Sequence, residues 1–149
     1  DTIRRSISHF REHAEESGVM AKDLALSMAR THLKTGHDVV IAQCYREVEH
    51  LENLEALAQD SQSDFYEFLL SISKEESVTR FIKRGQEGGY PDGFRPDGLV
   101  MRGGGVTKIE AVYDETMAAV AKRPNTIRIE PISGDINRAY QEILKHVDK

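Results

Sequence analysis

Apolar residues recur at helical spacing through most of this chain, and the exceptions mark where strands and loops belong. Ile3, Ile7, Phe10 and Ala14 keep a helical rhythm that predicts an amphipathic helix from Thr2 to about Glu16. Ser17 is a candidate N-cap for a second helix, whose apolar positions include Met20, Leu24, Met28 and Leu33 and which Gly36 should stop. In "HDVVIAQC" the rhythm changes, because Val39, Val40, Ile41 and Ala42 form a continuous run that predicts a buried strand. Helical spacing resumes from about Arg46 to Gln59 through Val48, Leu51, Leu54 and Leu57. "DFYEFLLSI", Asp64–Ile72, then reads as a second strand.

Ser73 and Glu76 form an S-x-x-E capping box for a helix running to about Arg84. Ile109, Val112, Tyr113, Met117 and Val120 define a helix over about Thr107–Lys122. "NTIRIEP" is a third strand, ended by Pro131, and a last helix begins near Asp135 with Ile136, Ala139, Ile143, Leu144 and Val147 as its stripe. Helices alternating with short apolar strands predict an α/β layered sheet, and no internal repeat is present.

One segment breaks the pattern. Eight of the eleven glycines and two of the four prolines lie between Gly85 and Gly105, so a loop of about 85–105 interrupts the domain. Arg84, Arg95 and Arg102 accompany it. A lid closing over an anionic ligand and a plain surface loop both fit that composition. The Gly103–Gly105 run is not a phosphate loop, since it lacks G-x-x-x-x-G-K-[ST].

Composition narrows the classes. At 149 residues the length fits one domain, long enough to bury roughly two-thirds of its unfolded surface. The 25 acids against 20 bases argue against a nucleic-acid footprint spread over the whole surface and leave a local basic cluster open, and nothing marks a base-stacking platform for nucleic acid. The single cysteine, Cys44, cannot form an internal disulfide and suits a reducing compartment; no apolar run is long enough to span a bilayer. These features predict a cytoplasmic chain with neither nucleic acid nor membrane as partner.

Four groupings carry more specific information. "DTIR" is an acid with an arginine three residues on, set directly against a helical pattern. "ARTHLKTGHDVVI" is a helix leading through a glycine turn into a strand. "SKEESVTRFIKRG" is a polar cap followed by an R-x-x-x-R pair, Arg80 and Arg84, that leads into the glycine-rich segment. "TIRIEPISGDINRAYQEIL" is a final strand and helix. In this order they resemble the small P-loop kinases, in particular the branch of zeta-toxin-like and chloramphenicol-phosphotransferase-like proteins often labelled AAA-family ATPases. The resemblance covers nearly the whole chain and rests on the order of the motifs more than on any one of them.

The resemblance implies a three-layer P-loop kinase-like parallel sheet flanked by helices. It also implies a central strand and Walker A loop, which these residues do not contain. That strand would lie between the strands of 38–43 and 64–72. On this expectation Asp1 is an internal residue of a longer kinase, residues 1–149 are its C-terminal part, and the isolated chain folds poorly because two apolar strands keep an unpaired edge.

The implied chemistry is ATP- and Mg2+-dependent phosphoryl transfer to a hydroxyl of a small molecule. Asp1 would accept the hydroxyl proton and Arg4 would hold the substrate. The structural alternative makes Asp1 a helix cap and leaves Arg4 solvated. Arg80, Arg84, Arg95 and Arg102 would reach the nucleotide phosphates, with Arg84 also catalytic. For Arg80 the alternative is a surface pair with Glu76. Gln43, at the end of the strand expected over 38–43, would bind substrate or serve as a satisfied strand-end amide.

No residues here are expected to bind metal on their own. His9 and His13 lack a third ligand and read as a surface pair. Cys44 reads as a half-buried thiol, and Glu47, Glu49, Glu52 and Glu55 as a solvated helix face. The rival reading is a non-catalytic α/β binding or regulatory module that lost its nucleotide site.

Overall fold

A computed structural model describes residues 2–87, 101, 103–131 and 135–147, with backbone alone at positions 14, 84 and 86. They form six helices and a two-stranded sheet: α1 (Thr2–Arg5), α2 (Ala14–Lys34), α3 (Val48–Asp60), β1 (Phe68–Leu70), α4 (Lys74–Gln86), α5 (Gly105–Ala121), β2 (Ile127–Ile129) and α6 (Ile136–Val147). The class is α/β, as the alternation predicts. The chain divides into two compact units, one of Asp1–Gln43 with Glu49–Phe65 and one of Cys44–Val48 with Tyr66–Lys149.

In the first unit, the helix expected over residues 2–16 is interrupted. His9 takes a left-handed backbone, φ 55°, which an L-residue seldom adopts inside a helix, so only the short α1 and the long α2 are regular. Ser17 is therefore not an N-cap; it sits one turn inside α2, with its N–H donated to the His13 carbonyl. The inward face of α2 also differs from the expected one. Ala29 is buried, whereas Met20, Leu24 and Met28 remain exposed.

Gly36 stops α2 as predicted. At φ 77° it occupies the left-handed region, its N–H bonds the Leu33 carbonyl and the His37 N–H bonds the His32 carbonyl. Those two bonds are the Schellman pattern, which satisfies carbonyls the helix end would otherwise strand. In α3, Leu51 and Leu57 of the predicted stripe are buried and Val48 and Leu54 half-buried, and Ala58 is buried beside them in sequence.

The strand predicted over 38–43 is not formed: residues 37–46 are irregular, and Val40 is 93% exposed. A continuous apolar run becomes a strand only where a neighbour takes its N–H and C=O groups, and no described strand lies alongside it. Among the described residues the sheet thus has two strands where the resemblance implies a larger one.

In the second unit β1 and β2 run parallel, Phe68 opposite Ile127, Leu69 opposite Arg128 and Leu70 opposite Ile129. Bonds from Ile127 N–H to the Glu67 carbonyl and from Ser71 N–H to the Ile129 carbonyl continue the ladder at both ends. Both strands are shorter than the apolar segments that predict them, because pairing is limited to where the two run side by side. Ile129 of β2 and Ala119 and Val120 of α5 are buried. α4 packs on α5, and α6 packs on β2. α6 begins where predicted: the Asp135 carboxylate accepts the Arg138 N–H at 3.0 Å.

Gly104 and Gly105, with φ of 107° and 58°, start α5, so the Gly103–Gly105 run serves a helix entry.

Candidate functional site

Of the residues the sequence singles out, Arg4 has the most defined setting. It lies at the end of α1, half-buried, and its Nε–H donates to Ser17 Oγ at 3.1 Å. Ser17 is 1% exposed, and its hydroxyl proton goes to the Phe10 carbonyl at 3.0 Å. The left-handed turn at His9 brings that carbonyl back over α2. Arg4 is thus not the solvated side chain of the structural alternative. Gln43 lies in the same unit but outside any element, exposed in the irregular 37–46 stretch, so it is not a strand-end amide. Asp1 lies outside the described residues.

Arg80 and Arg84 are in the second unit, one turn apart on α4. Arg80 Nη2 donates to Glu76 Oε1 at 2.6 Å, with the two side chains 38% and 42% exposed, which is the surface pair the sequence offers as an alternative. An exposed pair at this spacing contributes about 0.3–0.5 kcal/mol, so it orders Arg80 without locking it. For Arg84 only the backbone is described, and Arg95, Arg102 and nearly all of the proposed lid lie outside the described residues.

α4 starts just past the carboxyl end of β1, the position at which open parallel sheets commonly bind ligands. Ser73 caps it as predicted, accepting the Glu76 N–H at 3.1 Å. The return half of the predicted box differs, since the Glu76 carboxylate turns to Arg80. Glu75 sits lower than an ordinary glutamate in pKa, first because its own backbone N–H bonds its carboxylate and then because of the Ser73 hydroxyl.

Lys74, at the same helix end, was not legible as a site residue. Its Nζ lies 2.6 Å from Asp114 Oδ1 and 5.9 Å from the centre of the Tyr113 ring, and the Tyr113 hydroxyl donates to the Ile72 carbonyl at 2.9 Å. The hydrogen bond to Asp114 is the main cause of its raised pKa. In sequence, Tyr113 reads only as part of an apolar stripe, and the partners of Lys74 lie some forty positions away. The group fixes the start of α4 against α5, with the ammonium paired to the Asp114 carboxylate.

Cys44 is exposed, not half-buried. Its Sγ lies 2.9 Å from Thr116 Oγ1, whose proton is given to the Val112 carbonyl, so the thiol is the donor. Arg46 beside it pairs with Glu115 at 3.1 Å. His13 pairs with Glu16 at 2.9 Å, and His9 is exposed in its turn. Among the described residues, no three His, Cys, Asp or Glu side chains gather as a metal site. No helix there is long and apolar enough to cross a membrane. Comparison with protein-family models, with curated proteins and with solved structures finds no match for this chain.

Proposed function

We propose that these residues are part of an ATP-dependent phosphotransferase of the P-loop kinase type, acting on a hydroxyl of a small molecule. The observation that carries the reading is the ordered series of motifs, from D-x-x-R at Asp1–Arg4 to R-x-x-x-R at Arg80–Arg84. It is supported by the parallel pairing of β1 with β2 and by α4 following the carboxyl end of β1 with both arginines on it. The finer architecture is a three-layer P-loop-like parallel sheet flanked by helices. The compartment is the cytoplasm.

The roles follow from what phosphoryl transfer requires. Asp1 takes the proton of the acceptor hydroxyl, and Arg4 and Gln43 bind the acceptor. Arg84, with Arg80, Arg95 and Arg102, offsets negative charge on the nucleotide. The Mg2+ and the β- and γ-phosphates do not fit the residues described: no carboxylate cluster forms a cage, and G-x-x-x-x-G-K-[ST] does not occur in the sequence.

One observation favours the rival class, a non-catalytic α/β binding or regulatory module: Arg80 is already held by Glu76. Asp1→Asn separates the two in the protein as it occurs in the cell. The kinase reading requires that ATP affinity is kept while turnover falls by at least about a hundredfold, the usual contribution of a general base. A binding module has no turnover to lose.

A further inference from the structure

We infer that His32 and His37 form a two-imidazole site for a borderline divalent cation such as Zn2+, built into the turn that ends α2. The site is independent of the phosphotransferase reading and of the Mg2+ which that reading requires.

The pair is a product of the backbone. A Schellman turn brings together the third-last residue of the helix and the second residue beyond its cap, and those two side chains are ordinarily apolar. With Thr35 as the cap of α2, the two positions are His32 and His37. The His37 N–H bonds the His32 carbonyl at 3.4 Å, and Gly36, at φ 77°, turns the chain back. The ring centres lie 5.0 Å apart, with their planes inclined by 34°. Both residues are exposed, so neither ring fills a core and a hydrated ion can reach them.

The same turn fixes the tautomer of His37. Thr35 Oγ1 gives its proton to the His32 carbonyl at 2.7 Å, so in its 3.0 Å bond with His37 Nδ1 the ring nitrogen is the donor. The neutral ring then carries its lone pair on Nε2. Histidines that bind metals are held in this way, with the other ring N–H donated to an oxygen. The separation fits as well. An imidazole bound at ~2.0 Å has its centre roughly 3.2 Å from the metal, so two at the tetrahedral angle stand about 5.2 Å apart.

The negative end of the α2 dipole favours a cation, and Lys34, two positions from His32, does not share its side of the helix. His9 and His13 lack these features: His9 sits in a left-handed turn, and His13 Nδ1 is engaged by Glu16. Imidazole ligands select Zn2+, Cu2+ or Ni2+ over Mg2+, with water completing the shell. Ligation ties residue 37 to α2, so the ion sets where the irregular 37–46 stretch leaves the helix.

The test is a Zn2+ titration of the untagged protein as it occurs in the cell, read by nitrogen-15 NMR of the histidine rings. The two signals are identified by their loss in His32→Gln and His37→Gln. Both should move together with Zn2+, and Mg2+ should move neither. In each single variant the affinity read at the remaining ring should fall at least about tenfold. Thr35→Val should lose about tenfold, as loss of a bond to the far ring nitrogen does, and Thr35→Ser should restore it. His9→Gln with His13→Gln should leave both signals and their affinity unchanged. Helix content by circular dichroism checks the fold. If His37→Gln lowers it, His37→Asn takes its place with the same expected direction.

Ring signals that Zn2+ leaves unmoved in the native protein would overturn the site. So would native-like affinity at one ring after the other is replaced in a folded variant. Native-like affinity in a folded Thr35→Val would overturn the part given to Thr35 and leave the pair standing.

Discussion

Glu67→Gln should weaken the second unit by about 2 kcal/mol, because this carboxylate joins the start of β1 to the turn before β2. Its Oε2 accepts from Arg123 Nε at 3.0 Å and its Oε1 accepts from Thr126 Oγ1 at 2.6 Å. The Arg123 and Glu67 side chains are only 15% and 11% exposed. Breaking a fully buried ion pair by removing one partner costs about 3–5 kcal/mol, and an exposed pair is worth about 1 kcal/mol or less. A pair this nearly buried belongs between the two, and the amide keeps a partner for Thr126, hence about 2 kcal/mol.

The backbone carbonyl of Glu67 also accepts the Ile127 N–H, so the same residue marks the register of the parallel pair. A slip of one residue would lose the ladder bond and the side-chain bonds together. All five tyrosines lie beyond Gln43 and outside Glu49–Phe65, so tyrosine fluorescence in urea follows the second unit alone. A loss of about 2 kcal/mol lowers the midpoint by about 1 M urea for a small domain. Arg123→Ala should give a similar loss, and the double mutant should show a coupling of about 1–2 kcal/mol. A midpoint shift below about 0.3 M for Glu67→Gln, or strict additivity with Arg123→Ala, would refute the reasoning.

Ser73→Ala removes the oxygen that accepts the Glu76 N–H and should cost about 1 kcal/mol, read from the same urea transition. Gly104→Ala, at φ 107°, should cost about 1 kcal/mol or more, whereas Gly18→Ala, inside α2 with open space around it, should be neutral or stabilising in helix content by circular dichroism. Glu75 has a lowered pKa in the folded chain, so its ionised form adds stability above the ordinary glutamate pKa of 4.5, and that stability is lost as the pH falls through the lower folded value. Glu75→Gln should therefore lower the midpoint at pH 7, and the difference from the native protein should shrink as the pH falls below 4.5, as paired urea titrations would check.

The elements that could be read from sequence are those decided locally. The Ser73 cap, the Gly36 stop, the start of α6 at Asp135 and the stripes of α3 and α5 each depend on residues within a turn or two of one another. What failed depends on distant partners. Val39–Ala42 has the composition of a strand, but a strand is a property of a pair, and no described neighbour receives its backbone bonds. Ser17 looks like a cap because Ser favours that position; the turn at His9 brings Arg4 and Phe10 onto it instead. Lys74 with Asp114 and Glu67 with Arg123 join residues forty or more positions apart, and no spacing rule connects them. The candidate site divides in the same way. The Arg80–Arg84 spacing is legible from the helix period, while the Glu76 partner of Arg80 was legible only as one of two alternatives.

The most direct measurement of the central claim is phosphorus-31 NMR of the protein as it occurs in the cell, incubated with ATP, Mg2+ and a mixture of small hydroxyl-bearing metabolites. The kinase reading predicts a phosphomonoester signal that grows as the ATP γ-phosphate signal falls and ADP appears, with no matching rise in inorganic phosphate. ATP that stays intact, or that yields only inorganic phosphate, would contradict it.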